Sequence, residues 1–104
     1  MSRLAVLLVT ALGLWPAPGQ AHEERLMVGR VEAVEPARKL LVVRDAQKGD
    51  RRRLEVNRET EVLACRSGAD LGVLRPGGLV RVKYIDRPGA EREARSILLL
   101  RPGP

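Results

Sequence analysis

Few side chains in this chain are equipped for chemistry. It carries one His and one Cys in 104 residues, His22 and Cys65, and Met27 lies shortly after the first. An imidazole beside a free amino terminus chelates Cu(II), and a thioether or thiolate can add a soft ligand. His22 with Met27, or with Cys65, is therefore the candidate metal site, although a lone imidazole falls short of any Cys/His zinc set. The plainer reading of His22 is an exposed polar residue next to a cleavage site. Cys65 has no partner for an intrachain disulfide. Its expected state is a small buried hydrophobe, with an intermolecular disulfide or a thiol activated by neighbouring Arg66 as the functional alternative. No Ser-His-Asp or Cys-His pairing can be assembled. Glu32, Glu35, Glu55, Glu59 and Glu61 fall among arginines, as surface ion-pair partners do, so no catalytic residue and no enzyme is expected.

Charge is the stronger signal. Lys and Arg number 19 against 13 Asp and Glu, a formal charge of +6, and 16 of those cations are Arg. Arg51-Arg52-Arg53, with Lys48 and the nearby Arg44 and Arg38, gathers positive charge around one hairpin. Such a cluster suits phosphates, acidic polysaccharide, anionic headgroups or the acidic surface of an envelope protein. Aromatic residues make up only 2% of the chain, one Trp and one Tyr with no Phe, so base-stacking platforms are missing and nucleic acid is not the expected partner. No cofactor is expected.

The amino-terminal segment reads as an address. Arg3 precedes an apolar run from Leu4 to Trp15, and Pro16-Ala-Pro-Gly-Gln-Ala21 follows with small residues and helix breakers. That order is the pattern of a secretory signal peptide cut after Ala21, and the run is shorter than the roughly 20 residues that span a bilayer. The organisation expected is a leader over 1–21, a flexible amino terminus over 22–27, one domain over 28–101 and a frayed tail over 102–104. The expected product is a soluble periplasmic protein with no membrane span after cleavage.

The elements that must position these residues are strands. Short apolar stretches are cut by turn signals at close intervals, as in a sandwich or barrel. Gly29 interrupts the first stretch and predicts a bulge or bend. Pro36 marks a turn, Leu40 to Val43 a second strand, Asp45 to Asp50 a loop, and Arg53 to Asn57 alternates with period two. Thr60 to Cys65 reads as a fourth strand. Asp70 caps one helical turn through Leu74, and Arg75-Pro-Gly-Gly78 is a type II turn signal. Beyond it, Val80, Val82 and Tyr84 face inward with Arg81 and Lys83 in water, and Ala94 to Arg101 closes the sheet. The fold expected is an all-β, five-to-six-stranded OB-like barrel with one short helical turn before the fifth strand.

The order Gly29-Arg-Val31, Leu40-Leu-Val-Val43, Leu54-Glu-Val56, Thr60-Glu-Val62, Ala69-Asp-Leu71, Leu74-Arg-Pro-Gly77, Val80-Arg-Val82 and Ala94-Arg-Ser-Ile97 resembles the small β-barrel domains of exported bacterial proteins. The resemblance covers Val28 to Leu100 and implies a fold without a chemistry. More distantly the chain is similar to the OB-fold of periplasmic copper chaperones, which implies a metal held by one His, two Met and a Trp on the barrel face. Only His22 and Met27 are available here after the leader, and no Trp, so that site does not transfer. The expected function is a non-catalytic binding module of the cell envelope that docks through its Arg-rich loop. The alternative is a copper-handling protein using the amino-terminal His22.

Overall fold

Alternate positions in most of these segments are Val, Leu or Ile, and β-branched side chains at period two pack best on one face of a pleated sheet. A computed structural model of the protein describes residues 23–65 and 67–104, so the leader, His22 and Arg66 lie outside the described residues. Seven strands form: β1 (Glu24–Glu35), β2 (Leu40–Asp45), β3 (Arg51–Glu55), β4 (Glu61–Ala64), β5 (Ser67–Ala69), β6 (Leu79–Ile85) and β7 (Arg92–Arg101). They join in the order β3-β2-β1-β6-β7-β4-β5, and β3 also pairs with β7. That extra pairing closes β1, β2, β3, β7 and β6 into a ring, with the β4–β5 hairpin attached alongside β7. The architecture is the all-β, OB-like barrel. The short β5 raises the strand number to seven, so the helical turn at Leu71–Val73 precedes the sixth strand. It is capped as its sequence predicts, Gly72 N–H donating to Asp70 Oδ1 at 3.0 Å.

Closure rests on a short parallel contact in which Leu54 lies opposite Arg92 and Glu55 opposite Glu93. Like charges directly opposite each other across strands repel. Here they are bridged: Asn57 Nδ2 donates to Glu55 at 3.2 Å and to Glu93 at 3.0 Å. Arg87 lies 2.7 Å from Glu55 and 3.9 Å from Glu93. Arg95 adds a bond of 3.2 Å to Glu93, which is itself buried.

The long first strand serves two neighbours. Its first half, Glu24 to Arg30, pairs with β6, and its second half, from Gly29, pairs with β2. Where the two registers overlap the backbones crowd: a Cβ on Gly29 would stand 2.2 Å from the Arg44 carbonyl oxygen and 2.7 Å from Val43 Cγ1. Gly29 is thus the point of closest approach, while the register irregularity falls between Val31 and Ala33. A bulge there re-aims Glu32 towards the arginines of β2 and β3.

Two boundary expectations change. Residues 24–27, expected to be flexible, are strand, because Met27 turns inward at 4% exposure opposite Val82. The tail at 102–104, expected to fray, packs on the Arg75–Gly78 turn. A Cβ on Gly103 would lie 2.5 Å from the Pro76 carbonyl oxygen, and one on Gly77 would lie 2.9 Å from Pro104 Cδ. That turn has the backbone its sequence demands, with Gly77 at φ +90 and Gly78 N–H donating to the Arg75 carbonyl at 3.0 Å. Inside the ring, Leu41, Val43, Leu54, Val80, Val82 and Ile97 are fully enclosed.

Gly29→Ala is expected to destabilise by about 1–3 kcal/mol, since the backbone it meets cannot retreat. Gly68→Ala, with nothing within 4 Å of the added carbon, leaves the melting curve near wild type. Equal melting of the two variants, followed by circular dichroism, would contradict the crossing geometry.

Candidate functional site

The arginine run is divided by the strand that carries it. Leu54 and Arg52 point into the barrel while Arg51 and Arg53 point out. Arg52 is 9% exposed. Its Nη1 donates to the Tyr84 hydroxyl at 2.5 Å and its Nε to Asp50 at 3.0 Å, while Nη2 stands 3.2 Å from Asp45. The guanidinium carbon also lies 5.8 Å from the centre of the Tyr84 ring, where the π-face attracts a cation. Asp45 accepts from the backbone N–H of Gln47 at 2.7 Å and of Lys48 at 3.1 Å. Those backbone bonds, Lys48 first, hold the Asp45 carboxyl below its usual range, and the bond from Arg52 does the same for Asp50. Arg52 therefore ties the β2–β3 loop to β6, a correction to its expected place on an exposed anion-binding cluster. Lys48 is on that loop and exposed.

Arg51 and Arg53 are exposed but partnered. Arg51 meets Glu32 at 2.6 Å, Arg44 meets the same carboxylate at 2.7 Å, Arg53 meets Glu91 at 2.8 Å and Arg38 meets Glu35 at 3.0 Å. Hydrogen bonds from Arg51 and then Arg44 push the Glu32 carboxyl below its ordinary value. Beneath them Leu40 and Val42 are buried outside the main core, covered by arginine stems and forming with Ala33 the floor of a groove of about 340 Å³. A neighbouring groove of about 430 Å³ shares Arg51 and Arg53 and extends to Arg87 and Arg92. This face is a lattice of neutralised charge over an apolar strip.

A second surface has a different balance. On the outer face of β1, β6 and β7, cross-strand register sets Val28 beside Arg81 beside Leu98, Leu26 beside Lys83 beside Ser96, and Arg30 beside Leu79 beside Arg101. Among the described residues, Arg30, Arg81, Lys83 and Arg101 form no ion pair with any carboxylate. The exposed carboxylates on this face stand at its margins, Glu24 at the start of β1 and Glu61 on β4 beyond Ser96, while the buried Asp45, paired with Arg52, lines the recess between Leu26, Val28 and Arg81. Sequence reasoning placed Arg81 and Lys83 in water from the alternation of β6. It missed the patch because Arg30, Arg81 and Arg101 are scattered along the chain and meet only through strand register.

The metal candidates are not assembled. His22 lies outside the described residues. Met27 is 4% exposed and packed in the core opposite Val82, a correction to its expected role as a ligand. Cys65 is exposed rather than buried, in the turn after β4 at φ +52. Its expected thiolate helper, Arg66, is outside the described residues. Among the described residues no three His, Cys, Asp or Glu side chains gather as a metal site, and no helix is long and apolar enough to cross a membrane.

No protein-family model matches the chain, and none of the curated protein sequences is similar to it. Its fold is similar to a solved structure described as the crystal structure of Ag(I)CusF, at 12% identity and a TM-score of 0.58, covering 74% of this chain and 97% of that one. The likeness shows an OB-like fold.

Removing Arg52 leaves the enclosed carboxylate of Asp45 without its counter-charge. Arg52→Met is expected to cost about 3 kcal/mol or more, read as a drop in Tm. Glu32, Asp45, Asp50 and Glu55 all bind protons less readily folded than unfolded. Their contribution is therefore fully present above the ordinary carboxylate values of 3.8 and 4.5 and is lost as pH falls through and below them. Tm should hold between pH 8 and about 5 and fall steeply below about 4. A Tm that rises on acidification would contradict these pairings.

Proposed function

We propose that this chain is an exported, non-catalytic binding module of the cell envelope that docks on an anionic partner through the outer face of β1, β6 and β7. One observation carries the reading: Arg30, Arg81, Lys83 and Arg101, four of the eight cations without a carboxylate partner among the described residues, share that one face, whereas Arg51, Arg52 and Arg53 are paired and the other four, Lys39, Lys48, Arg58 and Arg75, are spread over loops and turns. An anion approaching Arg51 or Arg53 must compete with Glu32 or Glu91 for the same guanidinium. One approaching Arg81 or Lys83 replaces only water and counterions. Long-range attraction follows net charge within a Debye length, about 8–10 Å at ordinary salt, so a face with four unpaired cations attracts a polyanion more than a face of paired ones. The leader-like residues 1–21 supply the export half of the proposal. A copper site would need His22 together with a second ligand, and the buried Met27 supplies none.

The docking is expected to be salt-sensitive. Arg81→Glu with Lys83→Glu should elute from immobilised heparin at markedly lower salt than wild type. Arg51→Glu with Arg53→Glu, an equal change in net charge, should shift elution less. Equal shifts, or a larger shift for the second pair, would return the binding surface to the arginine run, and retention indifferent to salt would end the electrostatic reading.

A further inference from the structure

The same face carries a second kind of exposure. Leu26 at 62%, Val28 at 37% and Leu100 at 45% are the exposed large apolar side chains among the described residues, and all three lie on the outer side of β1 and β7. Register sets Leu26 directly beside Lys83 and Val28 directly beside Arg81. Leu100 occupies the bulge of β7 opposite Leu79 and Val80. Apolar side chains and unpaired cations thus alternate across three adjacent strands.

Resting on the proposed anion-docking face, we infer that its partner is an anionic phospholipid surface, with Leu26, Val28 and Leu100 entering the headgroup–acyl boundary and Arg30, Arg81, Lys83 and Arg101 meeting the phosphates. The mixture of exposed apolar side chains and cations selects a bilayer over other anions. A polysaccharide or polyphosphate has no use for exposed leucine, whereas a lipid interface rewards apolar burial and positive charge at the same depth. The recess on this face, between Leu26, Val28, Asp45, Gln47 and Arg81, measures about 240 Å³, smaller than the grooves beside Arg51 and Arg53. The backbone also suits a layer poor in water. β6 is paired on both sides by β1 and β7, and β7 by β6 and then by β3 or β4, so contact with the membrane exposes no unpaired edge at the centre of the face.

Sedimentation of the leader-free protein with extruded vesicles tests the assignment, alongside its retention on heparin. Vesicles of phosphatidylglycerol and phosphatidylcholine should carry the protein down, and vesicles of phosphatidylcholine alone should not. Each cation removed from the face should weaken that partition about fivefold. Leu26→Ser with Leu100→Ser should weaken it about tenfold while leaving heparin elution and the melting curve unchanged, because both side chains are exposed. Heparin binding without vesicle binding would overturn the lipid assignment and leave the anion-docking face standing. Failure to bind either would overturn both. Leucine variants that sediment as well as wild type would show a purely electrostatic contact and refute insertion.

Discussion

The barrel depends on a contact that sequence makes unfavourable. Its ring closes where β3 and β7 run parallel for two residue pairs, and one pair sets Glu55 opposite Glu93. Closure holds because Asn57 donates to both carboxylates while Arg87 bridges them, turning repulsion into a clamp. Hydrogen bonds from Arg87 and then Asn57 keep the Glu55 carboxyl below its usual range, so the clamp is set for neutral pH and loosens in acid. With the ring shut, β3 is fixed in register, and its alternation must send Arg52 inward.

That inward arginine organises its own end of the barrel. Tyr84 is the aromatic ring of the core, and Arg52 reaches it from the opposite side of the ring of strands while holding Asp45 and Asp50. No buried polar side-chain atom among the described residues is left without a partner. A buried charge is tolerable on those terms alone. Satisfying Arg52 uses two carboxylates, and Glu32, Glu55, Glu91 and Glu93 are taken by the arginines of β2, β3 and the β6–β7 loop. Those carboxylates are spent on that side of the barrel, and Arg30, Arg81, Lys83 and Arg101 on the β1–β6–β7 face are left without carboxylate partners among the described residues.

Much of the fold was legible because it follows from local rules. The alternation of Val80, Val82 and Tyr84, the type II turn at Pro76-Gly77, the Asp70 cap and the β2–β3 hairpin each follow from a few neighbouring residues. The inward position of Arg52 was also readable, since it continues the period of Leu54 and Val56, but the run of three arginines invited a reading as one solvated patch. Gly29 was marked as special without revealing why: two neighbouring strands cross it at once, which depends on distant residues. The same holds for the tail, docked on a turn far away in sequence, whereas the exposure of Cys65 was readable, since it alternates away from the buried Val62. The cationic face was the least legible feature, since it exists only once three strands are in register.

Charge segregation is the central claim, and mapping where an anion touches the barrel tests it most directly. In a titration of isotope-labelled protein with a short heparin oligosaccharide, the account predicts that amide shifts concentrate at residues 26–30, 79–83 and 98–101. Shifts concentrated at residues 38–53, with the β1–β6–β7 face unmoved, would contradict it.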